Sequence, residues 1–261
     1  MKKKHVLTIL SFLALLLLLQ FGFKTKPDRL IQEEKTRSLN LQVTSIDILR
    51  DEARQKLGNA ERTSIQILES RLDNESDTLA QIEILKELSR TWYEAESFSV
   101  AGAYAEEIAM LNEEAAAWGI AGTTYAYGID RAEQEKERTF CLNKSIECLE
   151  NAISLDPENV EYQLNRAILL TEHPPGDNPM KGILLLRELN KNFPKNVPVM
   201  NNLARFALQT NQIDRALTRL LEAESLEPNN RTTNCLLTQT YQALGDQEKT
   251  AIYQDRCDRL N

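Results

Sequence analysis

Apolar residues at helical spacing, interrupted once by polar residues, dominate the stretch 197–230. Spacings of three and four place each apolar run on one face of a helix, and the polar break at 210–212 predicts a turn between two antiparallel helices. Pro228 ends the second helix because proline lacks a backbone donor. Small Ala204 and Ala216 lie where the two helices must approach closely. The first run contains Met200, Leu203, Ala204 and Ala207, and the second contains Ala216, Leu217, Leu220, Ala223 and Leu226.

An aromatic–small–small–aromatic set at helical spacing, Trp118, Ala121, Gly122 and Tyr125, marks another helix of the same kind. This set and the stretch 197–230 resemble the tetratricopeptide repeat (TPR), a helix–turn–helix unit of 34 residues. The resemblance implies an all-α fold, a right-handed TPR-like α-α superhelix, which is a solenoid of antiparallel helix pairs. The expected organisation is an N-terminal helical hairpin at 44–81 and TPR-like units at 82–115, 116–159, 160–196, 197–230 and 231–261.

Two of these units depart from the family pattern. The unit at 116–159 is longer by about 11 residues, roughly three helical turns. Its inserted segment 130–138 is rich in helix formers and charge pairs, which predicts a lengthened, solvated second helix. In the next unit the turn at 171–180 is about three residues longer than the pattern, and Asn178 followed by Pro179 predicts the helix start after it. The run 178–183 resembles one found in membrane-anchored TPR proteins of Bacteroidetes. Trp92 and Trp118 both fall on packing positions, which predicts that they are core residues.

The N-terminus is basic and then strongly apolar. Residues 1–5 contain three lysines, and Val6–Phe23 carries no charged side chain over 18 residues. Eighteen helical residues span roughly 27 Å, close to the hydrocarbon thickness of a bilayer. The sequence therefore predicts a transmembrane helix or signal anchor at 6–23 and a juxtamembrane linker at 24–43. The lysines at the start favour a single-pass protein of the bacterial inner membrane with its body in the periplasm. The alternative is a secreted or periplasmic protein released by signal cleavage.

Charge and motif content narrow the possible functions. The net charge of −8 argues against sequence-independent nucleic-acid binding, which needs lysine and arginine to displace counterions. It also argues against a body that lies flat on anionic lipid. The sequence has no nucleotide-binding, metalloprotease or nucleophile-elbow motif. We therefore expect no enzyme activity, no cofactor, no metal site and no small-molecule substrate.

The four cysteines fall into two pairs. Cys141 and Cys148 are seven residues apart on one predicted helix, roughly 10 Å along its axis, which is too far for a disulfide. Cys235 and Cys257 lie at similar heights on opposite arms of the last predicted hairpin. A disulfide is possible there, but the sequence favours two small buried thiols.

A TPR solenoid implies a concave groove lined by the first helix of each unit. Asn165, Asn202 and Arg205 resemble part of a clamp with which some TPR proteins capture a C-terminal carboxylate, but the lysines of that clamp are missing. These asparagines remain able to hydrogen-bond an extended peptide backbone or simply to hold water. The predicted partner-binding residues are Asn165, Ile168, Asn201, Asn202, Arg205, Gln209 and Gln239.

These features predict a membrane-tethered TPR adaptor or scaffold that binds a protein or peptide partner in its groove and is not an enzyme. The alternative is a structural subunit of a larger envelope-assembly complex. Both interpretations rest on one apolar N-terminal span joined to a helical-repeat body.

Overall fold

Twelve α-helices and no strand make up the part of the chain that this computed structural model describes, residues 44–176 and 178–260. The expected all-α architecture is confirmed at that level. The predicted membrane segment Val6–Phe23 lies outside the described residues. Within the described ranges, no helix is both long enough and apolar enough to cross a bilayer. The helices are α1 Ile46–Lys56, α2 Asn59–Asp73, α3 Thr78–Glu94, α4 Phe98–Asn112, α5 Ala115–Arg131, α6 Glu135–Leu155, α7 Val160–Glu172, α8 Lys181–Asn192, α9 Val197–Gln209, α10 Ile213–Leu226, α11 Arg231–Leu244 and α12 Gln247–Arg259.

From α3 onward, consecutive helices pack as five pairs: α3 with α4, α5 with α6, α7 with α8, α9 with α10, and α11 with α12. Each pair also packs against the next, so the five pairs form a stack. The close approach expected at Ala204 and Ala216 is present, because both side chains are fully buried. Asn159, Asn196 and Asn230 cap the first helices α7, α9 and α11, since each side chain accepts a hydrogen bond from a backbone N–H of the first turn.

The two helices expected at 44–81, α1 and α2, are present, and each packs mainly on another helix. Helix α2 packs on α3, but α1 packs mainly on α4. Polar contacts join α1, α2 and α4. Arg54 of α1 pairs with Glu69 of α2, whose carboxylate also accepts a hydrogen bond from the Tyr104 hydroxyl of α4 at 2.7 Å. The Arg50 guanidinium lies 5.1 Å from the centre of the Tyr104 ring. Side-chain contacts between distant residues therefore decide where α1 lies, and helical periodicity did not reveal them.

The long pair α5–α6 also differs from its prediction. Helix α5 ends at Arg131 and α6 begins at Glu135, so the extra length lengthens both arms instead of the second helix alone. Arg138 stabilises the bend by donating to the carbonyl oxygens of Ile129 at 3.3 Å and Ala132 at 3.1 Å. The turn between α5 and α6 also contacts another helix, because the Glu133 carboxylate lies 3.2 Å from the Lys56 ammonium group of α1.

Helix α8 begins two residues later than expected. Met180 occupies its N-cap position, and Asn178 instead accepts a backbone hydrogen bond from Lys181 at 3.2 Å. Gly182, inside the run 178–183, lies directly against the backbone of α7. A Cβ atom on Gly182 would be 2.3 Å from the Thr171 nitrogen, so only glycine permits this approach.

The cysteines of the last pair form a disulfide, Cys235–Cys257, which joins α11 to α12 with the two Cα atoms 4.9 Å apart. The sequence favoured two buried thiols at these positions, and that interpretation was wrong. The choice depended on side-chain direction across the hairpin, which spacing along each helix leaves open. Cys141 and Cys148 are free and buried, as their separation along one helix predicted.

We expect Cys141 and Cys148 to resist alkylation in the folded protein. Burial raises the pKa of the Cys141 thiol to about 12 and also raises the pKa of Cys148, so both thiols stay protonated at pH 8. Intact-mass spectrometry after iodoacetamide should show no adduct on the native protein, two adducts after unfolding without reductant, and four after unfolding with reductant. Alkylation of the native protein within minutes would contradict this packing.

Candidate functional site

The predicted partner-binding residues lie on three first helices: Asn165 and Ile168 on α7; Asn201, Asn202, Arg205 and Gln209 on α9; and Gln239 on α11. Gln209 and Gln239 are exposed, while Asn165, Ile168, Asn202 and Arg205 are partly exposed. Asn201 is the exception, because it is buried. Six of the seven predicted residues therefore have some solvent-exposed surface.

Asn201 is 4% exposed and links two helices. Its Oδ1 accepts a hydrogen bond from the Thr233 hydroxyl at 3.0 Å, and its Nδ2 donates to Asn230 Oδ1 at 3.4 Å. The amide thus satisfies buried polar groups between α9 and α11, which is the usual condition for a buried polar side chain. The prediction that Asn201 contacts a partner is corrected, since its side chain is occupied inside the fold.

Arg205 and Asn202 are also engaged within the chain. Arg205 donates to Glu172 at 2.7 Å and to Asn202 Oδ1 at 3.1 Å, and its guanidinium lies 4.4 Å from the centre of the Phe206 ring. Asn202 Nδ2 donates to the Pro198 carbonyl at 3.0 Å. A C-terminal carboxylate would have to displace Glu172 from Arg205. The pairing of Arg205 with Glu172 and the absence of the clamp lysines both argue against binding of a C-terminal carboxylate at this position.

A more apolar surface lies at the other end of the stack, between α3, α4 and α5. We call it the inner groove. It is a cavity of about 690 Å³ with Tyr93, Ile108, Ala117 and Ile120 among its lining residues. Ile120 is 61% exposed and Tyr93 is 42% exposed, although both are large side chains with apolar surface. Contiguous exposed apolar surface of this kind marks interaction sites in soluble proteins.

Polar groups of balanced charge border the inner groove. Arg90 pairs with Glu94 at 2.8 Å, and Lys86, another lining residue, pairs with Glu83 at 2.7 Å. Asn112 provides an amide at the rim. Because its cations are already paired, the groove offers apolar contact and hydrogen bonds more than a net charge.

Aromatic rings and a second cavity extend the inner groove in space. Tyr93 packs edge-on against Tyr127, with ring centres 6.0 Å apart, and Tyr127 is 58% exposed. A neighbouring cavity of about 460 Å³ between α2 and α3 shares Arg90 and Glu94 with the groove, and the exposed side chain of Ile67 lines it. An elongated ligand can therefore contact apolar side chains in both cavities.

The sequence contained a signal for the inner groove that its core pattern concealed. Ile120 and Tyr127 are seven residues apart on α5, which places them on one face of the helix. That face is separate from the buried face of Ala121 and Tyr125. Two large apolar residues at helical spacing outside the core-facing set mark an exposed apolar stripe.

Among solved structures, the protein TTC0263 of Thermus thermophilus, described as a thermophilic TPR protein, is similar to this chain over 70% of its residues and 90% of that structure. The identity is 18% and the TM-score is 0.50. The fold is TPR-like. In such a fold the first helices of the pairs line the inner face of the stack and the second helices form its outer face.

Two other solved structures resemble the chain more weakly. MamA is 13% identical, with 69% of this chain and 91% of that chain covered and a TM-score of 0.45. YrrB, titled a TPR protein with an unusual peptide-binding site, is 13% identical, with 71% and 93% covered and a TM-score of 0.41. No protein-family model and no curated protein matches the chain.

No group of three or more histidine, cysteine, aspartate or glutamate side chains that could hold a metal ion occurs within residues 44–176 and 178–260. What the TPR-like body presents in those ranges is an inner face with two zones. One zone, at α3 to α5, is apolar. The other, at α7 to α11, consists mainly of amides and one paired arginine.

Proposed function

We propose that this protein is a non-enzymatic, membrane-tethered TPR-like adaptor that binds a protein or peptide segment on its inner face. The observation that carries the proposal is the inner groove, where Tyr93 and Ile120 remain exposed beside a cavity of about 690 Å³. Large apolar side chains anchor most protein interfaces, and hot spots form where such side chains enter pockets. The groove therefore binds one or more apolar side chains of the partner.

The polar zone extends this binding surface along the stack. The side chains of Asn165, Gln209 and Gln239 face solvent at least in part and can hydrogen-bond an extended backbone. Together the two zones bind a segment whose apolar residues occupy the groove at α3 to α5 and whose backbone continues over α7 to α11. Tethering raises the local concentration of such a segment at the membrane and allows modest affinity.

The proposed location is the bacterial inner membrane, with Val6–Phe23 as the anchor and the TPR-like body in the periplasm. The disulfide Cys235–Cys257 supports an oxidising compartment for the body, since disulfides persist outside the cytoplasm. The run 178–183 supports a Bacteroidetes-type protein. Fusions at residue 261 to a reporter active only after export should be active, and fusions to a reporter active only in the cytoplasm should be silent. The reverse pattern would overturn this topology.

Replacing Ile120 with glutamate is expected to weaken partner binding about 30-fold, because a hot-spot side chain contributes roughly 2 kcal/mol and the new carboxylate loses its water when the partner covers the groove. The partner is first identified by photo-crosslinking from a probe amino acid placed at Tyr127. Its affinity for wild type and variant is then measured by titration with purified proteins. Ile120 is 61% exposed, so the variant should unfold at the wild-type denaturant concentration.

Ile252→Glu is the matched control, because Ile252 is also an exposed isoleucine, on α12 and outside the groove. It should leave binding unchanged. Equal affinity of wild type and Ile120→Glu would contradict a groove-binding adaptor. If that result accompanied a stoichiometric complex stable in gel filtration, it would favour the structural subunit of an envelope-assembly complex.

A further inference from the structure

Three arginines without acidic partners lie on the second helices α8 and α10 of a chain that is acidic as a whole. These two helices together carry five basic and four acidic side chains, whereas the full chain has a net charge of −8. Arg187 lies on α8, and Arg215 and Arg219 lie on α10. In a TPR-like stack these helices form the face opposite the inner groove.

The three arginines lack the acidic partners that most other arginines here possess. Arg205, for example, lies 2.7 Å from Glu172, and Arg256 lies 2.6 Å from Glu224. Neither Arg187, Arg215 nor Arg219 has a carboxylate within 4 Å among residues 44–176 and 178–260.

Their hydrogen bonds within the chain leave most guanidinium donors open. Arg215 donates to Gln212 Oε1 at 2.5 Å, and Arg219 donates to the Arg215 carbonyl at 3.2 Å. A guanidinium has five N–H donors, so each arginine keeps several for an external acceptor.

Arg219 also lies near two other positive charges, those of Arg187 and Arg215. Burial lowers the pKa of Arg219, and repulsion from Arg215 and Arg187 lowers it further. Arg187 and Arg215 are therefore both close enough to Arg219 to repel it, and in the described part of the chain none of the three has a carboxylate within 4 Å. An added anion would relieve this repulsion.

Exposed apolar side chains adjoin the arginines. Met180 is 55% exposed and Leu184 is 50% exposed. With Arg187 and Lys191 they follow the spacing four, three, four along 180–191, which places all four on one side of α8. Arginine and methionine are enriched at protein interfaces, whereas a site for a small free anion needs no exposed leucine.

We infer that this arginine patch, defined by Met180, Leu184, Arg187, Lys191, Arg215 and Arg219, binds an acidic segment of a partner protein that also carries apolar side chains. The unpaired guanidinium groups provide bidentate donors for aspartate and glutamate. Met180 and Leu184 contact the apolar side chains of the segment. A lipid surface fits less well, because a flat anionic surface would also face the four acidic side chains of α8 and α10, whereas a peptide segment can contact the arginines alone. The patch is separate from the inner groove and does not depend on it.

A displayed library of random 16-residue peptides, selected on the full-length detergent-solubilised protein, tests the inference. Enriched peptides should combine several acidic residues with apolar ones. Their affinity should fall at least tenfold in the double variant Arg215→Glu, Arg219→Glu and at least tenfold between 50 and 300 mM salt. Arg215→Lys with Arg219→Lys should retain part of the binding.

The matched control is Arg231→Glu with Arg259→Glu, which makes the same change in net charge on α11 and α12. It should leave the affinity of the enriched peptides within twofold of wild type. Three results would each overturn the inference. The enriched peptides could be neutral or basic, their affinity could be unchanged in the Arg215/Arg219 variant, or their affinity could fall equally in the control variant. Salt-sensitive self-association that the Arg215/Arg219 variant abolishes would assign the patch to a second copy of the chain and would also overturn it. Ile120→Glu should not affect these peptides, so this result is independent of the inner groove.

Discussion

Replacing Trp92 with alanine should lower the free energy of unfolding by about 3–5 kcal/mol, the range for removing a large aromatic side chain from a packed core. Trp92 is 0% exposed and belongs to the cluster in which α2, α3 and α4 meet, with Leu68 and Leu88 among its members. Its indole nitrogen has no hydrogen-bond partner among the described residues, so the loss arises from the cavity and from lost apolar burial.

The measurement is chemical denaturation followed by far-ultraviolet circular dichroism, with hydrogen exchange to locate the loss. In a stack of helix pairs, stability is nearly a sum of local terms, so the increase in exchange should be largest in α2 to α4. Trp118→Ala is the control, because Trp118 is only partly buried. Trp118→Ala should lower the free energy of unfolding by clearly less than Trp92→Ala does. A larger loss at Trp118 than at Trp92 would show that the core lies elsewhere.

Replacing Gly182 with alanine should lower the free energy of unfolding by about 3 kcal/mol, at the upper end of the usual loss from overpacking. In an open helix the same change stabilises by about 1 kcal/mol, because alanine is the better helix former. Here the sign reverses. The added Cβ would lie 2.3 Å from the Thr171 nitrogen and 2.4 Å from the Leu170 carbonyl carbon. Backbone atoms cannot rotate away, so α8 must move off α7.

Gly176→Ala is the matched control, because a Cβ atom at Gly176 meets no other atom within 4 Å. Denaturation should place this variant close to wild type, while Gly182→Ala unfolds at lower denaturant and exchanges amide hydrogens faster in α7 and α8. A stabilised Gly182→Ala protein would contradict the close contact between these two helices.

The candidate site was only partly predictable. Spacing along α7, α9 and α11 correctly placed Asn165, Gln209 and Gln239 outside the core. Asn201 is as polar as Asn165, yet it is buried, and its amide oxygen accepts a hydrogen bond from Thr233, 32 residues away. The inner groove escaped prediction for a related reason. The spacing of Ile120 and Tyr127 marks an apolar stripe outside the core-facing set, but the distance between α3 and α5 decides whether a neighbouring helix covers that stripe.

The sequence alone determined the all-α class and the pairing of the helices from α3 onward, because apolar spacing, proline and asparagine caps act within a few residues of each position. It also determined that Cys141 and Cys148 remain apart, since one helix carries both. Only the tertiary structure decided that α1 lies against α4, that Cys235 bonds Cys257, and that Asn201 is buried. Each of these depends on side-chain direction and contact between residues distant in the chain, and many arrangements of the same amphipathic helices satisfy the same local pattern.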